Sequence, residues 1–225
     1  MKKIFTAIVA LALSVPSFAQ YSSGGFSLDG ENVYFGIRIG MTAASLSGED
    51  VTVDGRSYST DLGAKAGMTL AGVVGLRVSN NTPLFLESGV YYTERGGKKD
   101  KFQVSYNNLE FPILIKYGIK ATDDIALLPF VGPYFSYAIG GKTKQLFDQS
   151  GNPVEKVQKV GTFDEKKAYT GGLKRANMGF KLGCGVEYNK LYLELGYQFG
   201  VTNISKLDDM STRSNAFFAN FGVNF

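Results

Sequence analysis

Phe217-Phe218-Ala219-Asn220-Phe221-Gly222-Val223-Asn224-Phe225 alternates with period two. Phe217, Ala219, Phe221, Val223 and Phe225 share one face, while Phe218, Asn220, Gly222 and Asn224 share the other. That is a strand with an apolar and a polar side. The same alternation precedes it. About Leu191 to Thr202, Leu191, Leu193, Leu195, Tyr197, Phe199 and Val201 oppose Tyr192, Glu194, Gly196, Gln198 and Gly200. About Ala176 to Tyr188, Met178, Phe180, Leu182, Cys184 and Val186 oppose Asn177, Gly179, Lys181, Gly183, Gly185 and Glu187. A hairpin turn at Asn189-Lys190 would set Tyr188 against Leu191, Val186 against Leu193, Cys184 against Leu195 and Leu182 against Tyr197. Every pair is then apolar, and a slip by a single residue would destroy the match.

Five further strands read the same way upstream, giving eight in all. They are expected at about Val33 to Ala43, Ala64 to Val78, Pro83 to Thr93, Gln103 to Gly118 and Ile125 to Ile139. In the last of these, Pro129 and Pro133 are awkward in a ladder and predict bulges. The connections alternate in length. Ser79 to Thr82, Ile119 to Asp124 and Asn189-Lys190 are short; Ser45 to Gly63, Glu94 to Phe102, Gly140 to Leu173 and Asn203 to Ser214 are long. An even strand count puts all short turns at one end and all long loops at the other, the asymmetry of outer-membrane barrels.

Every strand charge placed by this reading falls on the glycine-bearing face: Arg38, Lys65, Arg77, Glu87, Glu110, Lys116, Lys181, Glu187 and Glu194. Periodicity gives two faces and not their direction. With the charges inside, the chain is an eight-stranded antiparallel up-and-down transmembrane β-barrel with a filled interior, since eight strands leave just enough room for side chains. The near balance of signs then allows pairing, which buried charges require. With the charges outside, it is a secreted soluble lipocalin-like barrel with a cavity for a small apolar ligand. Gly and Tyr on the charged face, aromatics near strand ends (Tyr34, Tyr92, Tyr117, Tyr188) and the loop asymmetry favour the membrane.

Met1-Lys2-Lys3, the apolar run Ile4 to Val15 and the small residues around Ser17 and Ala19 form a secretory signal peptide over 1–19, cleaved after Ala19. Residues 20–32 are then an N-terminal extension and 33–225 the barrel. No later apolar stretch is long enough for a spanning helix, so a membrane-spanning chain must be a closed barrel. The single cysteine, Cys184, rules out an intramolecular disulfide. A net charge of +4 is too mild to argue for nucleic-acid binding.

The segments YFGIRIGMTAASL (34–46), KAGMTLAGVVGLRVSNNTPLFLESGVYYTERGGK (65–98), YNNLEFPILIK (106–116) and FVGPYFSY (130–137), with the glycine-rich hairpin 178–204, resemble in order the PorT family of outer-membrane β-barrel proteins. The long third loop, 140–173, departs from that pattern. The resemblance implies an integral protein of a Gram-negative outer membrane, in contact with its lipid and lipopolysaccharide. More narrowly, it implies an accessory role in type IX protein secretion alongside that system's components. The closing strand, with Phe221, Val223 and Phe225, resembles the signal read by the barrel-assembly machinery.

Catalysis is not expected. The well-known enzymes of this architecture use a histidine, and this chain has 0. No nucleophile–base pair is marked, and no phosphate-cradling strand–loop–helix unit exists, so no catalytic residue and no cofactor are assigned. Asp123-Asp124 and Asp208-Asp209 lack the further oxygen ligands a metal needs and read as solvated turns. The long loops carry many lysines, among them Lys98, Lys99, Lys101, Lys142, Lys144 and Lys174. Contact with anionic lipopolysaccharide is one reading; the interleaved Asp148, Glu155, Asp164 and Glu165 favour an ordinary solvated loop. Val154 to Thr162 alternates and would extend a hairpin above the membrane.

Overall fold

The computed structural model describes residues 33–48, 51–53, 56–58, 61–79, 81–99, 102–145, 159–163, 172–206 and 211–225. Eight long strands form the wall: β1 (Val33–Gly48), β2 (Leu62–Arg77), β3 (Leu84–Lys99), β4 (Phe102–Tyr117), β5 (Ile125–Gln145), β6 (Ala176–Tyr188), β7 (Leu191–Gly200) and β8 (Thr212–Asn224). Each pairs antiparallel with its sequence neighbour, and β1 pairs β8 from Gly36↔Asn224 to Gly48↔Thr212, so the sheet closes on itself. No edge is left unpaired along this seam, which is how an antiparallel sheet satisfies its backbone in lipid. Among the described residues no helix is long and apolar enough to cross a membrane.

Side-chain direction is now fixed. β1 alternates exposed and buried along nearly its whole length, with Ile37, Ile39 and Met41 outside and Arg38 and Thr42 inside. The other strands follow: Ile113, Leu193 and Phe221 point out, while Lys116, Glu194 and Asn220 point in. The barrel is therefore apolar outside and charged inside, the inverse of a lipocalin. An exterior of this kind would be a large aggregation-prone surface in water; in a bilayer it is the required one.

The register at Asn189-Lys190 pairs Tyr188↔Leu191, Val186↔Leu193, Cys184↔Leu195 and Leu182↔Tyr197. Asn189 takes a positive φ of 55° in that turn, a conformation asparagine tolerates well. Elsewhere the strands outrun expectation at the long-loop end. β3 continues to Lys99 and β4 begins at Phe102, so most of the expected second loop is ladder, from Glu94↔Asn107 to Lys99↔Phe102. β5 likewise continues to Gln145 and takes a short strand, Lys159–Gly161, as partner for Lys142–Lys144. The first half of the expected alternating segment, Val154 to Gln158, lies outside the described residues, as do the expected signal peptide, the expected 20–32 extension and Asp208-Asp209.

The expected proline bulges do not occur. β5 pairs β6 without a shift through Pro129↔Cys184 and Pro133↔Phe180. On the β4 side the pairing lapses opposite Pro133, which has no N–H to give, and resumes in the same register. The bulge sits higher, where Asn107 pairs Gly140 but Asn108 pairs Ala138, leaving Ile139 as the extra residue. It reverses the facing of everything above it: Thr143 turns inward and Lys142 outward.

Candidate functional site: a filled barrel and its closed mouth

The interior begins, at the short-turn end, with a cluster of Tyr34, Phe85, Ala126, Leu128 and Tyr192. Glycine makes this packing possible. A Cβ at Gly75 would enter the ring of Tyr34, and one at Gly185 the ring of Tyr192. The large aromatic on one strand thus occupies the space that a side chain would take on a facing strand.

Above it lies an ion layer. Glu87 accepts from Lys116 Nζ at 2.8 Å and lies 3.6 Å from Arg38 Nη2; Tyr34 Oη donates to the same oxygen at 2.7 Å. Lys116 also reaches Glu194, at 4.0 Å, and Lys181 approaches Glu194 at 3.8 Å. Asn220 Nδ2 donates to Glu194 at 2.7 Å. Asn224 accepts from Arg38 at 2.6 Å through its oxygen and donates to Glu187 at 2.9 Å through its nitrogen, linking those two charges. Rings replace water around the cations. Lys181 Nζ is 4.2 Å from the centroids of both Tyr91 and Phe218, and the Arg38 guanidinium is 4.0 Å over Tyr192.

A second, smaller ion layer sits nearer the long loops. Arg95 pairs with Glu110 at 2.8 Å and donates to Gln198, which donates to Glu110 at 2.9 Å. Thr93 Oγ1 donates to the same Glu110 oxygen that Arg95 engages, Oε1, while Gln198 holds Oε2. Arg95 is fully buried, and sequence reasoning misses it because the Gly96-Gly97 pair interrupts the alternation and Glu94 to Phe102 reads as a loop. Across both layers four cations (Arg38, Arg95, Lys116, Lys181) face four carboxylates (Glu87, Glu110, Glu187, Glu194).

Two of the nine sequence-selected charges stand apart from these layers. Lys65 is near the long-loop rim, with its Nζ on the Ala66 carbonyl at 3.2 Å. Arg77 is at the short-turn rim, bonding the Ser79 carbonyl through Nε at 2.9 Å. The expected interior network is thus corrected at both ends: these side chains are only half-buried because they lie near the two ends of one strand, β2, where it leaves the barrel. Phe221 and Phe225 are exposed on the outer face, with Val223 half-buried between them.

The long-loop mouth is closed by apolar packing. Leu46, Val104, Tyr106 and Ala138 point inward from β1, β4 and β5, and Leu173 and Ile204 come down from the third and fourth loops to meet them. Phe163 and Leu62 pack against the same cluster. Backbone bonds lace the two loops together: Leu173 N to Thr162 O at 3.0 Å, Lys174 N to Ile204 O at 2.7 Å, and a bridge between Leu173 and Ser205. Among the described residues no group of acids or cysteines is placed to hold a metal.

The sequence model for the outer membrane protein beta-barrel domain matches residues 18–206. No curated protein matches. Solved structures do. Neisserial surface protein A is 16% identical, with 87% of this chain and 100% of that one covered and a TM-score of 0.46. A major outer membrane protein from Thermus thermophilus is 13% identical over 87% of this chain and 100% of its own, with a TM-score of 0.45. The outer membrane protease OmpT from Escherichia coli is 10% identical over 88% and 99%, with a TM-score of 0.37.

Proposed function

The chain belongs to the outer membrane protein beta-barrel domain family, and from that premise we propose that it is a non-enzymatic barrel whose working surface is its long-loop end rather than its lumen. The observation that carries this reading is the sealed interior. Two ion layers fill the cross-section, and Leu173 and Ile204 cap it. A diffusion pore needs open lumen, which eight side-chain-filled strands do not leave. In this architecture long loops face the cell exterior and short turns the periplasm, so the loops are what other molecules meet. The protein reaches the outer membrane behind a signal peptide over 1–19, and the outward-facing Phe221, Val223 and Phe225 are the element that the assembly machinery reads. Planar-bilayer recording of the refolded protein is the test, with no sustained conductance expected. Stable ion channels would sink the reading.

A narrower role, as an accessory of type IX secretion, has the PorT-like order of motifs as its support. A clean deletion strain would then lose exported proteins and regain them with the intact gene. An unchanged secreted profile would remove this role and leave the surface-contact reading in place.

A further inference from the structure

We infer that the long-loop rim carries a binding site for the phosphate of an outer-leaflet glycolipid, at the seam where β5 parts from β6. This inference rests on the outer-membrane reading above and adds a location and a chemistry to it.

The seam is made by the Ile139 bulge. Up to Ala138, β5 is paired with β6: Ala138 N bonds the Arg175 carbonyl at 2.8 Å. Beyond it, β6 is no longer alongside, because the chain before Arg175 turns toward the mouth, where Lys174 N bonds Ile204 O. β5 meanwhile continues upward with Lys159–Gly161 as its new partner. The parting leaves an open depression of about 310 Å³ lined by Gly140, Gly141, Gly161, Phe163 and Arg175. Its floor is short of side chains: a Cβ added at Gly140 would meet nothing within 4 Å.

The depression is cationic, and its cation is positioned. Arg175 is held by one Nη1 bond to the Ala138 carbonyl at 2.9 Å and by stacking 4.4 Å over the Phe163 ring. No other hydrogen bond to its guanidinium occurs among the described residues, and the side chain is exposed. A fixed, planar, exposed guanidinium matches a phosphate's paired oxygens. Lys142 follows Gly141 directly and is exposed only because the bulge turned it outward; Lys174 is exposed beside Arg175.

Height selects a lipid over a soluble anion. The last outward residues of β5 below the depression are Tyr137 and Ile139, and the first large apolar one of β6, after the small Ala176, is Met178, all well exposed. The site therefore begins where the apolar band ends, at headgroup level, and basic pockets at that level are lipid-binding features. An acyl chain lying on Tyr137, Ile139 and Met178 would bring its headgroup phosphate to Arg175.

Native mass spectrometry of the refolded protein in a maltoside detergent, which carries no phosphate, tests this. The probes are bisphosphorylated lipid A and the same lipid with its phosphates removed. Wild type is expected to retain the phosphorylated form at least about tenfold more strongly, and Arg175→Gln to lose about tenfold in affinity, as the loss of a charged hydrogen bond implies. Lys142→Gln should lose less, and Lys120→Gln, at the opposite end, nothing. Equal retention of both lipids by wild type, or an Arg175→Gln protein that binds as wild type does, would overturn the site. Displacement of the lipid by millimolar inorganic phosphate would overturn the lipid assignment. Heat-modifiable gel migration reads barrel folding independently of lipid. A protein without it, soluble without detergent, would refute the outer-membrane reading itself, whereas a folded barrel blind to Arg175→Gln refutes only the site.

Discussion

The lower and upper halves of the interior fill the same narrow cross-section by different means. Toward the short turns, strand residues alone do it: Glu87, Lys116, Glu194 and Lys181 span the lumen among aromatic rings, and every group comes from the wall. Toward the long loops, wall residues such as Leu46 and Val104 are too few, and Leu173 and Ile204 must be brought in from outside the strands. The lower half holds its shape through charge pairs that tolerate no missing member. Beyond the Arg95–Glu110 layer, the mouth does so through apolar burial, which degrades gradually. Surface loops change easily while a barrel wall does not, so the mouth is the half in which the molecule can vary.

This difference predicts a ranking of damage. Glu87→Ala should cost most, about 3–5 kcal/mol, because it takes from buried Arg38 its carboxylate partner and leaves buried Lys116 only the 4.0 Å approach to Glu194. Urea unfolding in lipid vesicles measures it, and adding Lys116→Met should recover a sizeable part of the loss. Leu173→Ala should cost about 2 kcal/mol, the low end for a buried leucine, because a loop can settle into the space. Hydrogen exchange should show the long-loop end of β4 and β5 opening while the strand segments around Glu87 and Glu194 stay protected. Gly185→Ala should cost about 1–3 kcal/mol by crowding Tyr192, and relief on shortening Tyr192 to Leu in the same chain would identify crowding as the cause. Lys65→Ala and Arg77→Ala should each stay within about 0.5 kcal/mol, as half-exposed rim residues do. A large loss at either would show the ion layers extending to the rims.

Legibility in the sequence followed the lipid. Where one face of a strand must be apolar, alternation is strict, and β6 with β7 could be aligned to the residue from Tyr188↔Leu191 onward. Above the apolar band the outer face turns polar, the Gly96-Gly97 pair breaks the alternation, and the continuing ladder of β3 from Glu94 to Lys99 reads as loop. Arg95 was hidden for that reason, although it is as deeply buried as Arg38. The mouth was less legible still. Leu173 and Ile204 are single apolar residues in polar loops, and nothing near them in sequence indicates that they meet. The bulge announced itself no better: the prolines drew attention to β5, but the extra residue is Ile139.

The ion layers also bear on how the wall closes. The β3–β4 hairpin brings Glu87, Arg95, Glu110 and Lys116 and is internally neutral; β1 brings Arg38 alone, and β6 with β7 bring one lysine against two glutamates. The surplus of each sign therefore sits on opposite sides of the β1–β8 seam. It is reconciled by Asn224 of β8, which holds Arg38 with its oxygen and Glu187 with its nitrogen. A sheet still open along that seam keeps both charges wet at little cost. Zipping it shut dries them together, and this is tolerable only if the strand arriving beside β1 carries the right amide at the right height. The closed ring is thus the arrangement in which both charges are dry and both are answered by one side chain of the closing strand.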